Sequence, residues 1–139
     1  VIALLEGRAT HGATCRAGDA DVAALQVLHQ RLQQCAAEGR ITDYYAANHA
    51  IHEAFITLAD NRWLAQAIGD LRKILRLARL QQLHAPGRLQ QSLAEHLAVF
   101  DALKRRDSEA AEAAMRTHLL HQREALRDVA RNQQSRLNP

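Results

Sequence analysis

Tyr44-Tyr45-Ala46-Ala47-Asn48-His49-Ala50-Ile51-His52-Glu53-Ala54-Phe55 is the stretch on which the fold turns. Apolar residues recur here at three- and four-residue steps, the period of an α-helix. On a helix, Asn48 and His52 lie one turn apart on one face. Tyr45, Phe55 and Ala59 share that face, so it points into a core. Polar residues at the centre of a core-facing stripe break the local pattern, and such breaks tend to mark function. Two later stripes break it in the same way. One is Leu89, Leu93, His96, Phe100 and Leu103, and the other is Ala111, Met115, His118, Gln122 and Ala125. Each carries an imidazole at its middle.

Working outward, the chain divides into six helical stretches with no strand signal and no internal repeat. The first runs from Val1 to about Arg16, with Ile2, Leu5, Ala9 and Ala13 inward. It starts inside an apolar pattern without a cap residue, so a preceding segment is expected. Gly18 to Asp21 breaks the chain. A second helix follows to about Glu38, with Val22, Leu25, Leu28, Leu32 and Cys35 inward, and Gly39 stops it. Thr42 or Asp43 is the expected cap of the third. The fourth opens at Trp63 after Asp60-Asn61, with the stripe Leu64, Ile68, Leu71, Leu75 and Ala78. Arg72, Arg76 and Arg79 lie on or beside its edge. Ala85-Pro86-Gly87 is the clearest loop. The fifth helix reaches about Arg105, Asp107-Ser108-Glu109 turns and caps, and the sixth reaches about Arg131. The expected architecture is an all-α, antiparallel bundle of about six helices over residues 1–132, with a polar tail at 133–139 that frays.

The bulk numbers agree. At 139 residues and 47% apolar, the chain is long enough to bury one core and is no disordered tail. Only 4% of residues are aromatic, while Ala, Leu, Gln, Arg and Glu abound, which favours helices over a β-sandwich. The two cysteines, Cys15 and Cys35, read as free thiols of a reducing cytoplasm rather than a disulfide framework. No apolar run is long enough to span a bilayer. The net charge of +3 is interleaved with Asp and Glu along the helices, which marks a solvated surface rather than a nucleic-acid footprint.

Imidazole is the commonest protein ligand for zinc and related metals, and helices can hold several in convergence. The pair Asn48 and His52 offers two ligands from one helix, with His96 and His118 supplying two more. The plain alternative is three hydrogen-bonded core histidines, since a single inward imidazole is more often that than a ligand. His11, His29, His49, His84 and His121 read as surface or border residues. A helical metalloenzyme is disfavoured. No glutamate has a histidine three residues later, as di-iron bundles require, and no adjacent His-Asp pair occurs. No nucleophile-and-base pattern stands out, so the chain does not read as an enzyme. A bundle with no ligand is the other rival.

At these residues the chain resembles the effector-binding C-terminal domain of FadR-type regulators in the GntR family, the FCD domain. Asn48-His49-Ala50-Ile51-His52 stands where the family has D-x-x-F-H, and Asn61-Arg62-Trp63-Leu64 matches its Asn-x-x-Leu step. Glu95-His96, Val99, Leu103, Arg106-Asp107, Ala110-Ala111 and Met115-Arg116-Thr117-His118-Leu119 follow in the family's order. Leu5-Glu6 and the helix from Asp21 to Leu32 match as well, so the likeness covers almost the whole chain.

The resemblance implies a ligand-sensing domain of a cytoplasmic bacterial transcriptional regulator, in the smaller, VanR-like branch. It implies a divalent metal, zinc first and nickel or a similar ion next, on Asn48, His52, His96 and His118. A small organic acid or sugar acid would sit against it, its carboxylate paired with Arg72 or Arg79. Each arginine taken alone reads more readily as a solvated helix edge. The family's N-terminal winged helix-turn-helix is not in this chain, so contact with DNA is expected only through that missing domain, in a homodimer. One departure stands out: the family's first ligand is Asp, and Asn48 brings no charge.

Overall fold

In a computed structural model, which describes residues 1–138, the chain forms six α-helices and no strand among the described residues. They are α1 (Ile2–Arg16), α2 (Asp19–Ala37), α3 (Ile41–Leu58), α4 (Arg62–Gln82), α5 (Arg88–Lys104) and α6 (Ser108–Leu137). The all-α bundle expected from the periodicity is the observed fold. None of these helices is long and apolar enough to cross a membrane.

Local chemistry sets the breaks. The Gly18 amide donates to Asp21 Oδ2 at 2.8 Å, holding the start of α2. Asn61 caps α4 by accepting from the Leu64 amide at 3.0 Å, and Asp107 caps α6 by accepting from the Ala110 amide at 3.0 Å. Gly87 takes φ 75° before α5, a left-handed turn that glycine adopts without steric cost. The third helix differs from expectation. It begins at Ile41, and Thr42 and Asp43 fall inside its first turn, where Asp43 accepts from Arg40 at 2.9 Å. The sixth also differs, continuing through the expected tail to Leu137. Gln133 to Leu137 holds no glycine or proline, so nothing in it breaks the helix. The residue before a proline resists helical geometry, which suits an end at Asn138. Pro139 lies outside the described residues.

The helices pack α1 and α5 against α6, α2 against α3, and α1 against α3. The core runs through Leu25, Leu32, Tyr44, Ile51, Phe55, Phe100, Leu103 and Met115. On α3 the deep aromatic is Tyr44, fully buried, while the expected Tyr45 is only half-buried. The Tyr44 hydroxyl donates to Ser92 Oγ on α5 at 2.9 Å. On α1 the buried face is Glu6, Ala9, Thr10 and Ala13, whereas Ile2 and Leu5 are half-buried.

The largest shift is on α4. Its buried residues are Ile68, Arg72, Arg79 and Gln82, so the helix is rotated from the expected stripe. Leu64, Leu71, Leu75 and Ala78 are half-buried. Ile74 (79% exposed) and Leu77 (67%), with Trp63, are left facing outward. A polar partner in the interior, Glu6, meets Arg72 and Arg79 on the buried side of this helix.

Candidate functional site

Helices α3, α5 and α6 each bring one histidine to the bundle centre. His52 is 2% exposed, His96 fully buried and His118 1% exposed. Their ring centroids are 5.1 Å (His52–His96), 4.4 Å (His96–His118) and 5.6 Å (His52–His118) apart. One ligand atom from each lies within 4.8 Å of the others. The spacing that put an imidazole in each stripe therefore brings three imidazoles to one place. Asn48 stands one turn before His52 on α3, buried, and its Oδ1 finds no donor among the described residues.

Two of the three rings are oriented by a carboxylate. His52 Nδ1 lies 2.9 Å from Glu6 Oε1, and His118 Nδ1 lies 2.8 Å from Glu95 Oε1. An ionised carboxylate only accepts, so both Nδ1 atoms must donate and each Nε2 keeps its lone pair. Neither nitrogen of His96, nor His118 Nε2, has a hydrogen-bond partner among the described residues. Buried polar atoms without partners are rare and costly, and a lone-pair nitrogen such as His118 Nε2 is satisfied by a proton donor or a cation.

Glu6 is the centre of a second cluster joined to the first. Besides His52, it accepts from Arg72 at 2.5 Å and from Arg79 at 3.3 Å. All four residues are at most 7% exposed. Arg72 and Arg79 thus do not lie on a solvated helix edge. They point inward, and their pairing with Glu6 is what turns α4. Burial would raise the Glu6 carboxyl, but His52, Arg72 and Arg79 outweigh it and hold it well below the usual carboxylate range. Glu95 accepts from Arg88 at 3.0 Å on one oxygen and from His121 at 2.5 Å on the other. Burial opposes its ionisation too, but His118, His121 and Arg88 bring it down to about 2.

The histidines are neutral bases. Burial, reinforced by Arg72 and opposed by Glu6, pushes His52 down to about 3. Burial, together with His118 and His52, holds His96 well below its ordinary value. Burial also lowers His118, against the pull of Glu95. Neutral imidazole is the form that binds a metal.

Four participants were not singled out from sequence. Glu6 lies on the buried face of α1, three residues before Ala9, and that periodicity was the available signal. Glu95 is adjacent to His96 but serves His118, a helix away. Arg88 is 3% exposed, bonded to Gln82 at 2.7 Å and to Glu95. The fourth is a correction. His29 is not a border residue but is 1% exposed, stacked on Phe100 at 4.2 Å between centroids and 6.5 Å from the His96 ring. Its Nδ1 donates to the Leu25 carbonyl at 2.7 Å, so this half of the ring is satisfied by its own helix. His11, His49 and His84 show no tie to the cluster.

An all-helical bundle with inward imidazoles on three helices is the kind of framework in which ligand and metal sites are built from facing helices. The comparisons narrow it. The sequence profile described as the FCD domain matches residues 1–121, and the chain belongs to that family. Among solved structures, E. coli McbR/YncC, a GntR-family regulator, has the same fold, with a TM-score of 0.79 at 22% identity. The alignment covers 89% of this chain and 63% of that one, so this chain spans under two thirds of that protein's length. No curated protein matches the sequence.

Proposed function

We propose that this chain is the effector-sensing domain of a bacterial GntR/FadR-type transcriptional regulator. FCD domains of such regulators are regulatory rather than enzymatic, and the reading keeps that role. The observation that carries it is the convergence of three buried imidazoles, with both nitrogens of His96 and the Nε2 of His118 left without a protein partner among the described residues.

The residues present suit a divalent metal, zinc or a similar ion, held by His52, His96 and His118 with Asn48 as a neutral oxygen donor. Bound there, such an ion supplies Lewis acidity to a guest carboxylate. The surrounding charge also favours an anion. Three buried guanidiniums, Arg72, Arg79 and Arg88, face two carboxylates, Glu6 and Glu95. Arg72 and Arg79 each keep an unpartnered Nε–H, a donor for a small organic acid or sugar acid beside Glu6. The larger surface depression, about 590 Å³ along α1 and the α3–α4 turn, is lined by Arg8, His11, Cys15 and Arg16 and does not reach the histidines. The three rings are at most 2% exposed, so a guest reaches them when the helices around the site part. A guest that binds the parted form better shifts the equilibrium toward it.

In the full regulator this shift would reposition winged helix-turn-helix domains that precede this one, in a homodimer acting in the cytoplasm. The outward apolar residues of α4, Ile74, Leu77 and Trp63, suit a contact with a second copy.

Elemental analysis of untagged protein beside a His52→Ala, His96→Ala double variant tests the metal. Stoichiometric metal in the first and none in the second is expected, and equal contents would remove it. A thermal-shift screen of organic acids tests the effector. A true ligand at one hundred times its Kd adds about 2.7 kcal/mol of stability.

A further inference from the structure

Asn48 and three neutral imidazoles bring no charge to a bound cation. The carboxylates in contact with this set are Glu6 and Glu95, and both sit behind a ring rather than beside the free nitrogens. We propose that Glu6 and Glu95 are the ring-orienting residues of the site, acting on the cation through His52 and His118. The inference rests on the metal-site reading above.

Three observations support it. Both carboxylates meet Nδ1, which fixes the same tautomer in both rings and frees both Nε2 atoms. Each carboxylate comes from a helix other than that of the ring it serves, α1 for His52 and α5 for His118. Each is also anchored by further donors, Arg72 and Arg79 for Glu6, and Arg88 and His121 for Glu95. Those anchors fix the carboxylate oxygens, so neither glutamate is free to swing in as a ligand. They act as positioning residues: a carboxylate on Nδ1–H fixes the ring and makes Nε2 more basic. His96 has no such partner, so the orientation is imposed from the α3 and α6 sides.

The test uses Glu95→Gln, because the amide oxygen still accepts from His118 Nδ1 while the charge is lost. Zinc affinity is measured by competition with a chromophoric chelator at pH 7.5, with circular dichroism as the check on folding. The expected result is binding 10–100-fold weaker than wild type. Adding Asn48→Asp in the Glu95→Gln background should restore affinity by a larger factor than it raises that of the wild type. Equal zinc affinity in wild type and Glu95→Gln overturns this inference and leaves the metal site standing. No zinc binding by wild type overturns both. The ¹⁵N imidazole spectrum of the unmutated, metal-free protein gives a reading that needs no variant. Nδ1–H tautomers at both His52 and His118 are expected, and an Nε2–H tautomer at either ring refutes the orientation.

Discussion

Replacing His29 by Phe should flatten the acid limb of the stability profile. His29 is 1% exposed and stacked on Phe100. Burial lowers its pKa from 6.5 to about 4, only partly offset by the bond to the Leu25 carbonyl. The folded value lies below the unfolded one, so between these two pH values the unfolded chain binds more protons. Stability therefore rises with pH across this window and is lost as pH falls below 6.5. With those two values, protonation of this one residue removes about 2 kcal/mol between pH 7.5 and pH 5. Phe cannot be protonated and keeps the stack. The larger ring adds its own packing cost of about 1–3 kcal/mol, but that cost is the same at both pH values and cancels in the comparison. The assay is urea denaturation of both proteins at pH 7.5 and pH 5. The wild type should lose about 2 kcal/mol more than His29→Phe across that interval. Parallel losses would show that His29 does not carry the proton-linked cost, and the argument from its burial would be wrong.

Two further outcomes follow from the same contacts. Glu6→Ala leaves two guanidiniums buried without a carboxylate and should cost about 3–5 kcal/mol in urea denaturation, whereas the exposed Asp43→Ala should cost no more than about 1 kcal/mol. If the outward face of α4 meets a second copy, Ile74→Glu with Leu77→Glu should yield monomer in sedimentation with an unchanged helical spectrum, and an unchanged dimer mass would place the contact elsewhere.

The sequence by itself determined the six helices, most of their breaks and the inward facing of His52, His96 and His118. These are properties of single segments, written in a 3.6-residue period and in residues such as Asn61, Gly87 and Asp107 that end or begin a helix. It also carried the family likeness at His52, His96 and His118. Only the tertiary structure decided which charges meet. Glu6 and Arg72 are 66 residues apart, and Glu95 and His118 lie on different helices. Nothing local distinguishes a carboxylate that will be buried by three donors from one left in water. That pairing turned α4 away from its most apolar face and made Arg72 and Arg79 interior residues. Packing of α2 against α5 buried His29 on Phe100, and the bond from its Nδ1 to the Leu25 carbonyl lets it lie there like an aromatic ring. Periodicity is fixed by neighbours along the chain. The partner of a buried charge is fixed by how separate helices pack, and that exists only once the bundle has closed.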